Sequence, residues 1–229
     1  MAPRGARTVL RPEALAHPLA KVLATVGPAS APGQLNFHCH TTASDGSLTP
    51  ERMAEQALAI GLEHMAVTDH HSLASHSPIR QAFEEAAAAG RPVPVLWRGV
   101  EISALLEGCL VHVLALGFDE DHPSLLPYLR GHSLIGPGLR AEAVVAAIRR
   151  AGGLALLAHP ARYRLPHARL IAAAADLGFD GAEAWYDYDM NDRWRPTPLV
   201  CEAIATDLAG RGLLMSCGTD THGLALHGR

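Results

Sequence analysis

The chain has 229 residues, of which 48% are hydrophobic and 18% are charged, a composition usual for a globular protein of one large or two small domains. A formal charge of −4 excludes a surface coated with basic side chains for binding long nucleic acids. The four cysteines form no CxxC pair, which excludes a disulfide scaffold and a thiolate zinc knuckle. No apolar run could cross a bilayer, and the first residues lack a signal-peptide segment, so we expect a cytoplasmic protein without membrane contact.

Residues 1–34 are predicted to form an appendage with one short helix, which begins near Arg11 and ends near Val26. From residue 35 to residue 229 we expect a single domain in which strands and helices alternate. The predicted strands are Leu35–His40, His64–Thr68, Val93–Ile102, Leu110–Leu116, Leu154–Ala158, Gly181–Tyr186 and Leu213–Cys217. The predicted helices, each bounded by a Pro or Gly signal, are Pro50–Gly61, Ile79–Ala89, Leu139–Ala151, Leu170–Leu177 and Pro198–Ala209.

Seven short strands, most of them separated by helices, indicate an α/β domain with a mainly parallel sheet or barrel. The phosphate-binding patterns GxGxxG and GxxxxGK[ST] are both absent, which argues against the nucleotide-binding open sheets. Because no helix follows the last strand, we expect the N-terminal helix to pack beside the first and last strands.

Ionisable side chains recur in or just after nearly every predicted strand. They are His38 and His40, the run Asp69-His70-His71, Glu101, His112, His159, and the pair Asp220 and His222. Singly, each has an ordinary structural explanation, but their repetition at strand ends favours a site. Side chains two apart on a strand point the same way, so His38 with His40, and Asp220 with His222, can each bind one metal ion. Imidazoles and carboxylates without thiolate suit Mn²⁺, Fe²⁺ or Zn²⁺.

The same residues lie in ordered motifs that resemble those of the PHP (polymerase and histidinol phosphatase) family over residues 35–223. The motifs are Asn36–Gly46 (NFHCHTTASDG), Val67–His70 (VTDH), Gly99–Glu101 (GVE), His112, Ala158–Pro160 (AHP) and Gly218–His222 (GTDTH). The resemblance implies a distorted, TIM-like seven-stranded (β/α) barrel with two or three divalent metal ions. It implies as metal ligands His38, His40, Asp45, His70, Glu101, His112, His159, Asp220 and His222.

The resemblance also implies a metal-dependent phosphoesterase that acts through a metal-bridging hydroxide on a small phosphate ester. Asp45 stands where histidinol phosphatases carry a histidine, which favours a mononucleotide, a nucleoside 3′,5′-bisphosphate or a short oligonucleotide end. Arg162, just after the AHP motif, is the candidate phosphate-binding residue. Asp69 and His71 are assigned supporting or proton-transfer roles, and either His71 or His222 could protonate the leaving oxygen.

Two other functions stay open. Amidohydrolase barrels that cleave C–N bonds also begin with an HxH pair, although the sole lysine, Lys21, lies outside the predicted domain and excludes a lysine-bridged site. A non-catalytic metal-binding or partner-binding module is the other alternative, and the complete set of ligands argues against it. Glu183 could be a tenth polar group facing the site, and the run Trp185–Tyr188 is favoured as packing rather than as a surface that stacks on a base.

Overall fold

The computed structural model describes residues 10–228; residues 1–9 of the predicted appendage and Arg229 lie outside the described residues. Within this range the strands are β1 Leu35–Asn36, β2 His64–Ala66, β3 Val95–Trp97, β4 Gly99–Leu106, β5 Cys109–Leu116, β6 Leu154–Leu157, β7 Gly181–Trp185 and β8 Leu214–Cys217. The α-helices are α1 Pro12–Ala16, α2 Pro18–Leu23, α3 Pro50–Ile60, α4 His76–Ala88, α5 Ala141–Arg150, α6 His167–Asp176 and α7 Pro198–Arg211. No described helix has the length and apolar character needed to cross a membrane.

Helix α3 illustrates how closely local signals predict the helices. The Thr49 side chain accepts a hydrogen bond from the Arg52 N–H and caps the first turn, with Pro50 in the first helical position. Gly61, at φ 81°, ends the helix in the left-handed region that glycine adopts without strain. The predicted alternation of strands and helices is confirmed, and with it the α/β class.

The eight strands form two sheets. Strands β1, β2 and β3 pair in parallel, and the second sheet has the order β4-β5-β6-β7-β8. Strand β5 is antiparallel to both β4 and β6, so the expectation of a mainly parallel arrangement is wrong there. The reason is the two-residue turn Glu107-Gly108, whose positive φ angles of 52° and 67° suit a tight hairpin.

The predicted strand Val93–Ile102 is in fact two strands, β3 and β4, in different sheets. The break occurs at Arg98, just before Gly99. A Cβ atom on residue 99 would lie 2.7 Å from the carbonyl oxygen of Val67, so this close approach of two backbones requires glycine.

Backbone hydrogen bonds beyond the strand ends connect the two sheets. The Phe37 N–H donates to the Cys217 carbonyl at 3.0 Å, and the Asp220 N–H donates to the His38 carbonyl at 2.8 Å. On the other side, the His71 N–H donates to the Glu101 carbonyl at 3.0 Å. Among the described residues the strand pairing therefore gives two sheets joined by these hydrogen bonds, and this pairing alone does not establish the closed seven-stranded barrel that was expected.

The N-terminal segment forms two helices where one was predicted. His17 precedes Pro18, and its extended conformation ends α1 because a residue before proline disfavours helical dihedrals. The His17 side chain accepts from the Leu19 N–H and its Nε2 lies 2.9 Å from the Gly117 carbonyl, which ties α2 to the rest of the chain. Helix α2 packs against β8, as expected, and Leu19 and Leu23 belong to the main hydrophobic core. The domain boundary at residue 34 stays a prediction.

Replacing Leu19 tests whether α2 belongs to this core. Leu19 is 0% exposed, so we expect Leu19→Ala to lower the free energy of unfolding by about 3 kcal/mol, measured by urea denaturation. The matched control is Leu15→Ala, because Leu15 lies 56% exposed on α1 and its loss should cost at most about 0.5 kcal/mol. Equally small effects of both substitutions would contradict a core role for α2.

Candidate metal centre

The nine candidate ligands come from seven places in the chain and converge on one cavity of about 590 Å³. Seven of them line the cavity: Asp45, His70, Glu101, His112, His159, Asp220 and His222. His38 and His40 are 0% exposed and make contact with the same carboxylates from within the protein. The structure therefore brings all nine together, although they are separated by up to 184 positions in the sequence.

Glu101 on β4 lies at the centre of this cluster and is 1% exposed. Five imidazoles have a nitrogen within 3.5 Å of its carboxylate, and they belong to His38, His40, His70, His112 and His159. A carboxylate offers about four lone-pair positions, so it cannot accept a hydrogen bond from each of five rings. The same arrangement of five rings is explained if metal ions lie between the Glu101 carboxylate and the imidazole nitrogens.

Four buried residues form the tightest group. The Nε2 atoms of His38 and His40 each lie 3.1 Å from Glu101 Oε2 and 3.2 Å from Asp220 Oδ1. Donor atoms bound to one ion at about 2.1 Å are separated by roughly 3.0–3.4 Å, so this spacing fits a metal ion. Both ring nitrogens of His40 are buried without a hydrogen bond, as is Glu101 Oε1. Such atoms are costly to bury unless something binds them, and an ion at this position would do so.

Further donor groups adjoin this one. Asp45 is 55% exposed, and its Oδ2 lies 3.3 Å from His222 Nε2 and 3.7 Å from His70 Nε2. On the other side of Glu101, Oε1 lies 3.0 Å from His112 Nδ1 and 3.4 Å from His159 Nε2. The donor set of imidazole nitrogens and carboxylate oxygens has room for more than one divalent ion.

The pKa values of the ligand groups are shifted by burial and by their charged neighbours. Burial would raise the pKa of the Glu101 carboxyl, but the neighbouring His38 and His112 hold it well below its usual range. Burial would lower the pKa of His40, but Asp220 and Glu101 raise it to about 9. Burial, only partly opposed by Glu101, lowers the pKa of His70 to about 4. Near pH 7, before any ion binds, Glu101 is therefore ionised, His40 is protonated and His70 is neutral.

Asp69, a candidate for proton transfer, does not line the cavity. Its carboxylate accepts hydrogen bonds from the Thr41 N–H, from the hydroxyls of Thr41 and Ser44, and from the Ser75 hydroxyl. With both oxygens engaged in this way, Asp69 has the role of holding the loop that carries Asp45. Of the two roles that the sequence analysis gave Asp69, the supporting role fits this geometry and the proton-transfer role does not.

His71 likewise does not lie where a proton donor to substrate would be needed. Its Nδ1 lies 3.0 Å from the Tyr128 carbonyl, and its Nε2 accepts from the Ser103 N–H at 3.2 Å. Both nitrogens bind backbone groups, so the ring has no nitrogen left for a leaving oxygen. The assignment of His71 as the acid is corrected on this ground.

His222 and Arg162 both line the cavity. The His222 Nδ1 donates to the Asp220 carbonyl at 2.8 Å, which leaves Nε2 facing Asp45 and able either to bind an ion or to move a proton. The Arg162 Nη1 donates to the Tyr186 hydroxyl and to Asp220 Oδ2. Its other N–H groups have no partner among the described residues and can bind a phosphate oxygen.

Sequence reasoning missed two residues of the cavity lining, Tyr163 and Met190. Both follow strand ends in irregular segments, where no periodicity marks which side chains face a site. The Tyr163 hydroxyl accepts from the His112 N–H, and burial raises its pKa well above the usual range, so it keeps its proton. Tyr186, in contrast, is 0% exposed and donates to Asp220 Oδ2, which agrees with packing and not with stacking on a base.

Two of the candidate ligands have strained backbone dihedral angles. His159 and Asp220 have φ angles of 27° and 50°, uncommon for residues other than glycine. Gly218 allows the close approach behind this turn, since a Cβ there would lie 2.3 Å from the His38 Cβ. Strain of this kind persists only where surrounding contacts enforce it, and functional sites are where it concentrates.

Comparison with known proteins agrees with this geometry. The PHP domain family model matches residues 36–158, slightly over half of the chain. The chain belongs to the PHP domain family. The motif resemblance noted in the sequence is therefore confirmed.

Curated relatives of this PHP domain protein match it over less than half of its length. The 5′-3′ exoribonuclease Rnm of Escherichia coli is 36% identical over 94 residues, which is 41% of this chain and 31% of that protein. The 3′,5′-nucleoside bisphosphate phosphatase of Chromobacterium violaceum is 35% identical over 96 residues, 42% of this chain and 32% of that one. The matched regions span about a third of the length of these relatives.

Solved structures share this fold over most of the chain. A Bifidobacterium adolescentis protein described as a metal-dependent phosphoesterase has a TM-score of 0.62 at 24% identity, covering 84% of this chain and 89% of its own. A Chromobacterium violaceum protein described as an amidohydrolase has a TM-score of 0.65 at 22% identity, covering 83% and 88%. At these identities the likeness establishes the fold alone.

Metal binding to this PHP domain should release protons. His40, with a pKa of about 9 in the metal-free protein, is protonated at pH 7 and must lose its proton before either nitrogen can bind an ion. We therefore expect the affinity for Mn²⁺ to rise as the pH increases from 7 to 9. Calorimetric titration in two buffers of different ionisation enthalpy measures the released protons, and a heat at pH 7 that is the same in both buffers would contradict the prediction.

Proposed function

We propose that this protein is a metal-dependent phosphoesterase that hydrolyses a small phosphate ester of nucleotide type. The observation that carries the proposal is the buried Glu101 carboxylate, surrounded by five imidazoles and adjoined by Asp220. The names of its relatives support it, since they are an exoribonuclease, a nucleoside bisphosphate phosphatase and a phosphoribosyl cyclic phosphate diesterase.

The proposed ligands fall into three groups that share Glu101 or adjoin it. The first is His38, His40, Glu101 and Asp220; the second is Glu101, His112 and His159; the third is Asp45, His70 and His222. We propose two or three divalent ions at these positions, of Mn²⁺, Fe²⁺ or Zn²⁺. When bound, such ions neutralise the phosphate oxygens and lower the pKa of a water that can attack phosphorus.

The chain's own residues bind and orient the substrate. Arg162 extends its free N–H groups from the rim of the cavity and binds a non-bridging phosphate oxygen. Asp220 and the Tyr186 hydroxyl fix Arg162 through Nη1, so that its planar guanidinium has one orientation. His222, where its Nε2 binds no ion, is the group able to supply a proton to the leaving oxygen, whereas the Tyr163 hydroxyl keeps its proton.

The proposal also includes the barrel fold, the length of the substrate and the cellular location. The hydrogen bonds that link the two sheets support a distorted seven-stranded barrel in which β3 and β4 count as one broken strand. The charge of −4 supports short substrates over long nucleic acids. The cytoplasmic location stays a prediction from the sequence.

Release of phosphate from a panel of esters tests the proposal directly. The panel is AMP, a nucleoside 3′,5′-bisphosphate, a short oligoribonucleotide and histidinol phosphate, each with added Mn²⁺ and with a chelator. We expect release that the chelator abolishes, with a nucleotide preferred over histidinol phosphate. A protein that binds metal and releases nothing from the panel would contradict the proposal and favour a C–N hydrolase or a non-catalytic module.

Removing the charge of one proposed ligand should abolish most activity without unfolding the protein. Asp220→Asn keeps the shape of the side chain but loses the charge beside His38 and His40, and we expect kcat to fall about 100-fold or more. The matched control is Asp207→Asn, which removes only an ion pair with Arg211 on α7 and should keep the wild-type rate. Near-normal turnover by Asp220→Asn would mean that the site is wrongly assigned.

Arg162 should contribute to substrate binding. We expect Arg162→Ala to lower kcat/KM about ten-fold through loss of a charge-assisted hydrogen bond to phosphate, measured at saturating Mn²⁺ because Arg162 also contacts the proposed ligand Asp220. Arg164→Ala is the control, because the Arg164 guanidinium donates to the Gly108 carbonyl in the β4–β5 turn. An equal loss of kcat/KM in both variants would argue against a phosphate contact at Arg162.

A further inference from the structure

A buried carboxylate on β7 lies behind the cluster. Glu183 is 0% exposed and is absent from the lining of the cavity. Its oxygens lie 3.2 and 3.3 Å from His38 Nδ1, and Oε2 accepts from the His159 N–H at 2.9 Å. Glu183 therefore contacts two of the candidate ligands directly, His38 after β1 and His159 after β6.

The contact with His38 decides which ring nitrogen faces the cluster. An ionised carboxylate only accepts hydrogen bonds, so His38 Nδ1 carries the hydrogen. Nε2, on the opposite side of the ring, then points to Glu101 and Asp220, 3.1 and 3.2 Å away. A carboxylate behind a coordinating imidazole fixes the ring orientation and increases the basicity of the other nitrogen.

The contact with His159 fixes a strained backbone. His159 has φ 27° and ψ 63° and immediately precedes the short 3-10 helix Pro160–Arg162. Because Glu183 accepts its N–H, the backbone is held at the point where the chain turns from β6 toward Arg162. One side chain on β7 thus contacts both the segment that follows β1 and the segment that follows β6.

We propose that Glu183 is a positioning residue that makes Nε2 the metal-binding atom of His38 and strengthens metal binding, without itself contacting the ion or the substrate. This inference rests on the metal-binding part of the proposed function. It is independent of which ester, if any, is hydrolysed.

Substitution of Glu183 by an amide of the same shape tests the role. Glu183→Gln retains an oxygen that can accept both hydrogen bonds but loses the negative charge, and we expect the Kd for Mn²⁺ to increase about 10- to 100-fold. The Kd is measured by equilibrium dialysis of the full chain without substrate. A Kd within about two-fold of the wild-type value in a folded Glu183→Gln protein would overturn the inference.

Asp180 provides a matched control just before the same strand. It is 1% exposed and its Oδ2 accepts the Ala155 N–H at 3.0 Å, but its other partner is Arg11 and not a candidate ligand. We expect Asp180→Asn to lower the melting temperature while the Kd for Mn²⁺ stays unchanged. Equal weakening of metal binding in both variants would mean that Glu183 acts only through stability, which would also overturn the inference.

The wild-type protein provides a second readout that holds if Glu183→Gln does not fold. In the Zn²⁺-loaded chain, ¹⁵N NMR of the histidine rings should show His38 with hydrogen on Nδ1 and the metal on Nε2. Metal on Nδ1 of His38 would overturn the inference. Because neither measurement uses a phosphate ester, failure of the wild-type protein to hydrolyse the panel leaves this test intact.

Discussion

The burial of negative charge around Glu101 is the constraint on which the rest of this structure depends. Glu101, Asp220 and Glu183 are each at most 1% exposed, and an ionised carboxylate removed from water costs several kcal/mol unless it is paired. The compensation comes from five imidazoles, which are contributed by the segments after β1, β2 and β6 and by His112 within β5. Because each imidazole must reach the same small volume, the strand ends and the loops after them have little freedom in position.

Several candidate ligands are in turn held by hydrogen bonds to backbone groups or to side chains outside the proposed ligand set. Asp69 holds the loop that carries Asp45 through three hydrogen bonds from Thr41 and Ser44, and the Asp220 carbonyl orients the His222 ring. The strained φ of 50° at Asp220 persists because its N–H is bound by the His38 carbonyl and its carboxylate by Tyr186. These hydrogen bonds position the candidate ligands without involving an ion, which favours a preorganised site.

The sequence predicted the helices and the clustered residues well because both depend on local signals. Thr49, Pro50 and Gly61 bound α3 by capping and dihedral preference, and the histidines and carboxylates repeat at the ends of short apolar runs. The break at Arg98 and the separation into two sheets depend on contacts between distant segments, such as Gly99 against Val67, which no local pattern encodes. His71 was misassigned for the same reason, since its partners, Tyr128 and Ser103, are distant in sequence.

The distribution of charge in the cavity indicates an order of events. Asp45, Glu101 and Asp220 line it with carboxylates, and among the described lining residues Arg162 is the one side chain with a permanent positive charge. Even that charge is partly neutralised, because Arg162 donates to Asp220. A phosphate ester entering the metal-free cavity would meet like charges at short range, which is unfavourable in a partly desolvated site. Under the proposed function, we therefore expect metal binding to precede substrate binding.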